Sequence, residues 1–135
     1  MRYLLDTGIA SDVVFRRGAA RTRVRQAALA GHIIGIGTPV LAEMLYGAEN
    51  SPSTEDNRAK VRRQTVRWKL WTFDEAAAVE YGRLAALLKH QGRLMQQFDI
   101  AIAAIALSLG QCVVVSKDGD LRAVPGLAVE DWSQA

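Results

Sequence analysis

Short apolar runs alternate along this chain with longer segments whose apolar residues recur every three or four positions. That alternation predicts a parallel sheet whose strands are joined by helices packed on its faces. The first strand is expected over Arg2 to Asp6, followed by helices over Ile9 to Phe15 and Arg21 to Ala30. His32 to Gly37 reads as the second strand. Thr38 is a natural N-cap with Pro39 at the first helical position, opening a helix that runs to about Ala48. After a loop at Asn50 to Ser53, Ser53 and Asp56 have the spacing of a capped start, and a basic helix is expected to end near Trp68. Leu70 to Phe73 reads as a short strand or extended link. Asp74 caps the most regular helix, whose Ala77, Tyr81, Leu84, Ala85 and Leu88 share one face. Asp99 opens an almost wholly apolar helix closed by Gly110. Cys112 to Ser116 is the continuous apolar run of a central parallel strand, and Leu127 to Glu130 is a last strand after the Val124-Pro125-Gly126 turn.

The acidic residues at the ends of these elements add chemistry to the pattern. Asp6 closes the first strand, Glu43 lies one turn into the helix after the second, Asp99 starts the apolar helix, and Asp118 follows the valine strand. In an open parallel α/β sheet, ligands bind beyond the carboxyl ends of the strands, so these carboxylates are expected to converge at one edge. Such a cluster repels itself unless a cation occupies it, and oxygen-only ligands favour a hard ion such as Mg²⁺ or Mn²⁺. Each acid also has a plainer use: a helix cap for Asp6 and Asp99, a polar turn for Asp118, an exposed helix face for Glu43. Their common placement favours the site, as does the apolar setting of Glu43 among Val40, Leu41, Ala42, Met44 and Leu45.

Composition narrows the class. At 135 residues, half of them hydrophobic and 23% charged, the chain is expected to be one soluble domain spanning 1–135. No apolar run approaches the roughly 18 residues of a membrane span, and no signal segment precedes the first strand, so a cytoplasmic location is expected. The single cysteine, Cys112, sits inside the valine strand and reads as a core residue. A pI of about 9.4 comes with two basic clusters, Arg16 to Arg25 and Arg58 to Lys69, suited to nucleic acid or an acidic partner. His32 and His90 are expected at packing or surface positions. There is no Ser-His-Asp arrangement, phosphate-binding glycine loop or zinc signature.

Four stretches, in order, resemble the motifs of the PIN-domain nucleases, most closely the VapC and FitB type. They are Tyr3-Leu4-Leu5-Asp6-Thr7; Thr38-Pro39-Val40-Leu41-Ala42-Glu43-Met44-Leu45-Tyr46-Gly47; Asp99-Ile100-Ala101-Ile102-Ala103-Ala104; and Ser116-Lys117-Asp118-Gly119-Asp120-Leu121 with Val124-Pro125-Gly126-Leu127. The resemblance implies a three-layer α/β/α sandwich with a mostly parallel sheet and Mg²⁺- or Mn²⁺-dependent hydrolysis of RNA. It makes Asp6, Glu43, Asp99 and Asp118 the catalytic and metal-binding acids, with Thr7 and Ser116 as bordering hydroxyls and Asp120 as an outer acid. It further implies a homodimer acting as the toxin of a toxin–antitoxin pair. A VapB-like antitoxin would lie between the early helices and those after Glu43, and such antitoxins often push an arginine into the acidic site.

The chain departs from the family pattern at three positions. Gly8 replaces the usual asparagine after Asp-Thr, Lys117 replaces a common asparagine, and Leu121 replaces a frequent aromatic. Lys117 is expected either to contact a scissile phosphate or to offset repulsion among the carboxylates, the second being favoured. The alternative reading is a PIN-like module whose site has decayed, binding RNA or a protein without cutting. A phosphatase lacks its Asp-x-Asp because position 8 is glycine, and a phospho-receiver lacks its paired acids after the first strand.

Overall fold

A computed structural model describes residues 1–134. The elements follow in the order β1 (Arg2–Leu5), α1 (Thr7–Val14), α2 (Ala20–Leu29), β2 (Ile33–Gly37), α3 (Thr38–Glu49), α4 (Thr54–Thr65) and β3 (Lys69–Trp71). The second half continues with α5 (Glu75–His90), α6 (Gln97–Leu109), β4 (Cys112–Val115), α7 (Gly119–Arg122) and β5 (Ala128–Glu130). All five strands are parallel, in the order β3-β2-β1-β4-β5. From β1 the chain steps one way to β2 and β3, then returns past β1 to β4 and β5. Right-handed crossovers taken in both directions cover both faces of the sheet, which yields the expected α/β/α sandwich.

Strand identity follows from burial. Leu4 and Leu5 of β1 and Val114 and Val115 of β4 have no exposed surface, as central parallel strands require. At β2 the apolar run is thinned by two glycines for a reason. A Cβ at Gly35 would lie 2.5 Å from the Lys69 carbonyl oxygen and 2.6 Å from the Trp71 ring, and one at Gly37 would lie 2.8 Å from Ile105 Cδ1. These positions let Trp71 and α6 come close to the strand. The apolar α6 is buried along Ile100 to Ala106 and forms much of the core.

The structure differs locally from the sequence expectations. Gly37, not Thr38, is the N-cap of α3, and the Thr38 hydroxyl instead accepts a hydrogen bond from the Phe73 amide at 3.1 Å. At α4, Ser53 stands at the cap without a side-chain bond, while the Thr54 hydroxyl donates back to the carbonyls of Ser51 and Glu49. That helix ends at Thr65, three residues short of Trp68. Helix α6 begins two residues before Asp99. His32 packs edge-on against Tyr3, and His90 is exposed, as expected. Among the described residues no helix is long and apolar enough to cross a membrane.

Candidate active site

The chain reverses its direction of travel at β1, and the crevice beyond the carboxyl ends of β1 and β4 is where such a sheet can open a ligand site. Asp6 leaves β1 there and caps α1: its Oδ1 accepts from the Ile9 amide at 2.9 Å. Its Oδ2 accepts a short hydrogen bond from the Ser116 hydroxyl, which is fully buried at the end of β4. Ser116 Oγ in turn accepts from the Asp118 amide at 2.9 Å. One serine thus fixes the acid of the first strand to the loop that carries the fourth. Asp118 caps the short α7 by accepting from the Asp120 amide at 2.9 Å, and Asp120 itself is exposed. Across the site, the Thr7 hydroxyl donates to Glu43 Oε1 at 2.5 Å, tying α1 to α3.

Asp99 lies in the first turn of α6 and takes no capping role. Its carboxyl is raised from 3.8 to about 6, first by burial and then by the negative charges of Asp118, Glu43, Asp6 and Asp120. Asp6 is raised too, chiefly by burial. The Ser116 and Ile9 hydrogen bonds oppose that rise, Asp118 adds to it, and Lys117 lowers it. All four expected acids therefore share one electrostatic neighbourhood. Among the described residues no three His, Cys, Asp or Glu side chains stand close enough together to hold a metal ion as they are placed. Mutual repulsion favours such an open arrangement of carboxylates. The donor set fits a hard divalent cation: it is all oxygen, and a cation removes the like-charge cost that raises Asp99.

Two cavities flank the acids. One of about 440 Å³ is bounded by Glu43, Gln96, Gln97, Phe98 and Asp99. The other, about 370 Å³, brings Thr7 and Glu43 together with Arg17 and Asn57.

Asp12 was not anticipated from sequence. It is buried in α1, with Lys117 Nζ donating to its Oδ2 at 2.9 Å and Arg17 Nε to its Oδ1 at 3.2 Å. Lys117 is thus held by a fifth acid as well as lying near Asp6, which accounts for a lysine at this position better than charge balance among the four acids alone. The two basic clusters meet between α2 and α4. Cavities of about 550 and 420 Å³ share Arg21, Gln64 and Arg67, and neither includes any of the four acids.

Fold and site together define an open parallel α/β protein with a carboxylate cluster beyond its strands. The PIN domain model matches residues 3–127, and the chain belongs to that family. It is 32% identical over 136 residues to the tRNA(fMet)-specific endonuclease VapC of Shigella flexneri, covering 98% of this chain and 99% of that protein. It is also 32% identical over 133 residues to Ribonuclease VapC2 of Haemophilus influenzae, covering 98% of each. Among solved structures, VapBC2 from Rickettsia felis bound to a promoter DNA fragment superposes with a TM-score of 0.91 at 25% identity, covering 98% of this chain and 99% of that one. DNA-bound VapBC from Salmonella typhimurium gives 0.89 at 29% identity, covering 98% of each chain.

Proposed function

We propose that this chain is an endoribonuclease, the toxin of a toxin–antitoxin pair, hydrolysing RNA phosphodiester bonds at a Mg²⁺ or Mn²⁺ site formed by Asp6, Glu43, Asp99 and Asp118. The observation that carries this reading is the PIN domain match over residues 3–127 together with the ribonuclease relatives that match nearly the whole chain; the raised Asp99 carboxyl, which feels all three of the other acids, supports it. Asp6, Glu43, Asp99 and Asp118 would hold the divalent ion, which would supply Lewis acidity toward the phosphate and a water nucleophile near neutral pH. The chain's own residues supply the frame. Ser116 aligns Asp6 with the Asp118 loop, and Thr7 holds Glu43 toward α1. Asp99 makes no capping bond.

The basic groove between α2 and α4 suits an acidic or amphipathic segment of a VapB-like antitoxin, since Arg21, Arg25 and Arg67 line it together with apolar Ala28 and the exposed Ile33. The groove stands apart from the acids, so a segment docked there needs an extension to reach and silence the site. The toxin is expected to act as a homodimer on single-stranded or looped RNA, where splayed bases give access to the backbone. The test is cleavage of total cellular RNA by partner-free protein with Mg²⁺, Mn²⁺ or chelator, beside Asp99→Asn. Discrete metal-dependent fragments absent from the variant support the reading. A folded, partner-free chain that cuts with neither metal is instead a decayed binding module.

A further inference from the structure

Gly8 and Lys117 form one feature of the structure. Gly8 and Asp12 are four residues apart on α1 and so share a face of that helix. A Cβ at Gly8 would lie 3.5 Å from Lys117 Cε and 3.7 Å from Asp6 Oδ1. The lysine stem therefore runs over Gly8, beside Asp6, before its ammonium reaches Asp12. A Cβ alone would meet the lysine stem at ordinary van der Waals distance, so Lys117 packs directly on the α1 backbone at this position.

Asp12 carries a cation on each oxygen, Lys117 on one and Arg17 on the other. Its side chain is only 11% exposed, whereas those of Lys117 and Arg17 are 48% and 61% exposed. The buried carboxylate neutralises one of the two charges and fixes both heads, leaving a net positive pair with open donors toward solvent. The ammonium has two further N–H donors, and the guanidinium keeps both terminal amino groups. The pair also borders the acids: Lys117 adjoins Asp118 in sequence, and Arg17 shares a cavity with Glu43 and Thr7. Two cations held by a buried anion next to a phosphodiester-cleaving centre are placed to grip the nucleic acid backbone.

We propose that Lys117 and Arg17, tethered to Asp12, form a two-cation site that binds phosphates of the RNA strand on the α1 side of the carboxylate cluster. This rests on the ribonuclease reading above. The site sets how the strand enters, and it fastens the β4–α7 loop to α1 at the same time.

The test measures binding of a labelled single-stranded oligoribonucleotide to the full, partner-free chain in chelator, so that nothing is cut, across a series of KCl concentrations. Each phosphate contact to a single strand contributes about 0.7 to the slope of log affinity against log salt. Lys117→Met and Arg17→Met are each expected to lower that slope by about 0.7, a loss of about fivefold in affinity at 0.1 M salt. Lys117→Arg is expected to restore both. Thermal melting identifies any variant that has lost its fold, and the Lys117→Arg comparison stands if Lys117→Met has. An unchanged slope in folded Lys117→Met and Arg17→Met overturns the site and reduces the cluster to a structural tether. Wild-type protein that cuts RNA while these slopes stay flat removes the site and leaves the nuclease. Wild-type protein that binds with the expected slopes but cuts nothing removes the nuclease and leaves the site.

Discussion

Asp99→Asn is expected to stabilise the metal-free protein while abolishing cleavage. In the native site the Asp99 carboxyl is raised from 3.8 to about 6 by burial and by its acidic neighbours. Ionising it in the folded state therefore costs at most about 3 kcal/mol relative to the unfolded chain. Solvent reaches part of the side chain and screens the repulsion, which leaves roughly 1–2 kcal/mol. The sign follows from linkage. Below about pH 4 the carboxyl is protonated in both states and costs nothing. As pH rises from about 4 toward 6 the unfolded chain releases this proton while the folded protein still holds it, so native stability falls across that window and levels off above 6. Asparagine has no charge to lose, so the variant's advantage opens over that window. Melting in chelator at pH 7.5 should rise by roughly 3–8 °C in the variant, for a chain of this size. The difference should shrink steadily as pH falls through 6 toward 4. Saturating Mg²⁺ should raise the wild type and not the variant, narrowing the difference. A variant that melts at or below wild type in chelator at pH 7.5 refutes the repulsion argument. So does an advantage that does not change with pH.

Other positions give sharp expectations. Ser116→Ala removes the buried hydroxyl that joins Asp6 to the Asp118 amide, and should cost about 1–3 kcal/mol in denaturant unfolding together with a loss of cleavage. Unchanged activity in that variant would mean the link does not align the acids. Gly35→Ala puts a methyl 2.5 Å from the Lys69 carbonyl oxygen, so a free energy of unfolding lowered by about 1–3 kcal/mol is expected in denaturant titration; a neutral result would show that β3 can shift away freely. Thr7→Val leaves Glu43 without its hydroxyl donor. Cleavage should fall by about tenfold or more with the melting temperature nearly unchanged, because the lost bond positions a charged group near the surface. Equal rates in the two proteins would remove Thr7 from the site.

Much of this architecture was legible because it is encoded locally. Strands β1, β2 and β4 are apolar runs that stop at polar residues, and Asp74 announces α5 by capping it, accepting from the Ala77 amide at 3.0 Å. The placement of Asp6 and Asp118 was legible for a similar reason, since in a parallel sheet the residues after a strand lie at the ligand-binding edge, whereas Glu43 and Asp99 are carried there by helices α3 and α6. What escaped depends on partners far along the chain. Thr38 looks like a cap by itself, but its hydroxyl is engaged by Phe73, 35 residues away. Asp12 sits in an apolar stretch with no local reason to be charged, and its partner Lys117 lies 105 residues on. Helix α7 has four residues, too few to show a periodicity. Gly8 and Lys117 read as two separate departures until the fold laid one across the other.

The central claim is that acids from β1, α3, α6 and the β4–α7 loop act together on one divalent-ion site. The most direct measurement is Mn²⁺ binding followed by electron paramagnetic resonance, in wild type and in Asp6→Asn, Glu43→Gln, Asp99→Asn and Asp118→Asn. Wild type is expected to remove the free Mn²⁺ signal at stoichiometric protein, and each variant to bind at least tenfold more weakly while remaining folded. Wild-type protein that leaves the signal untouched, or four variants that bind Mn²⁺ as wild type does, would contradict that claim.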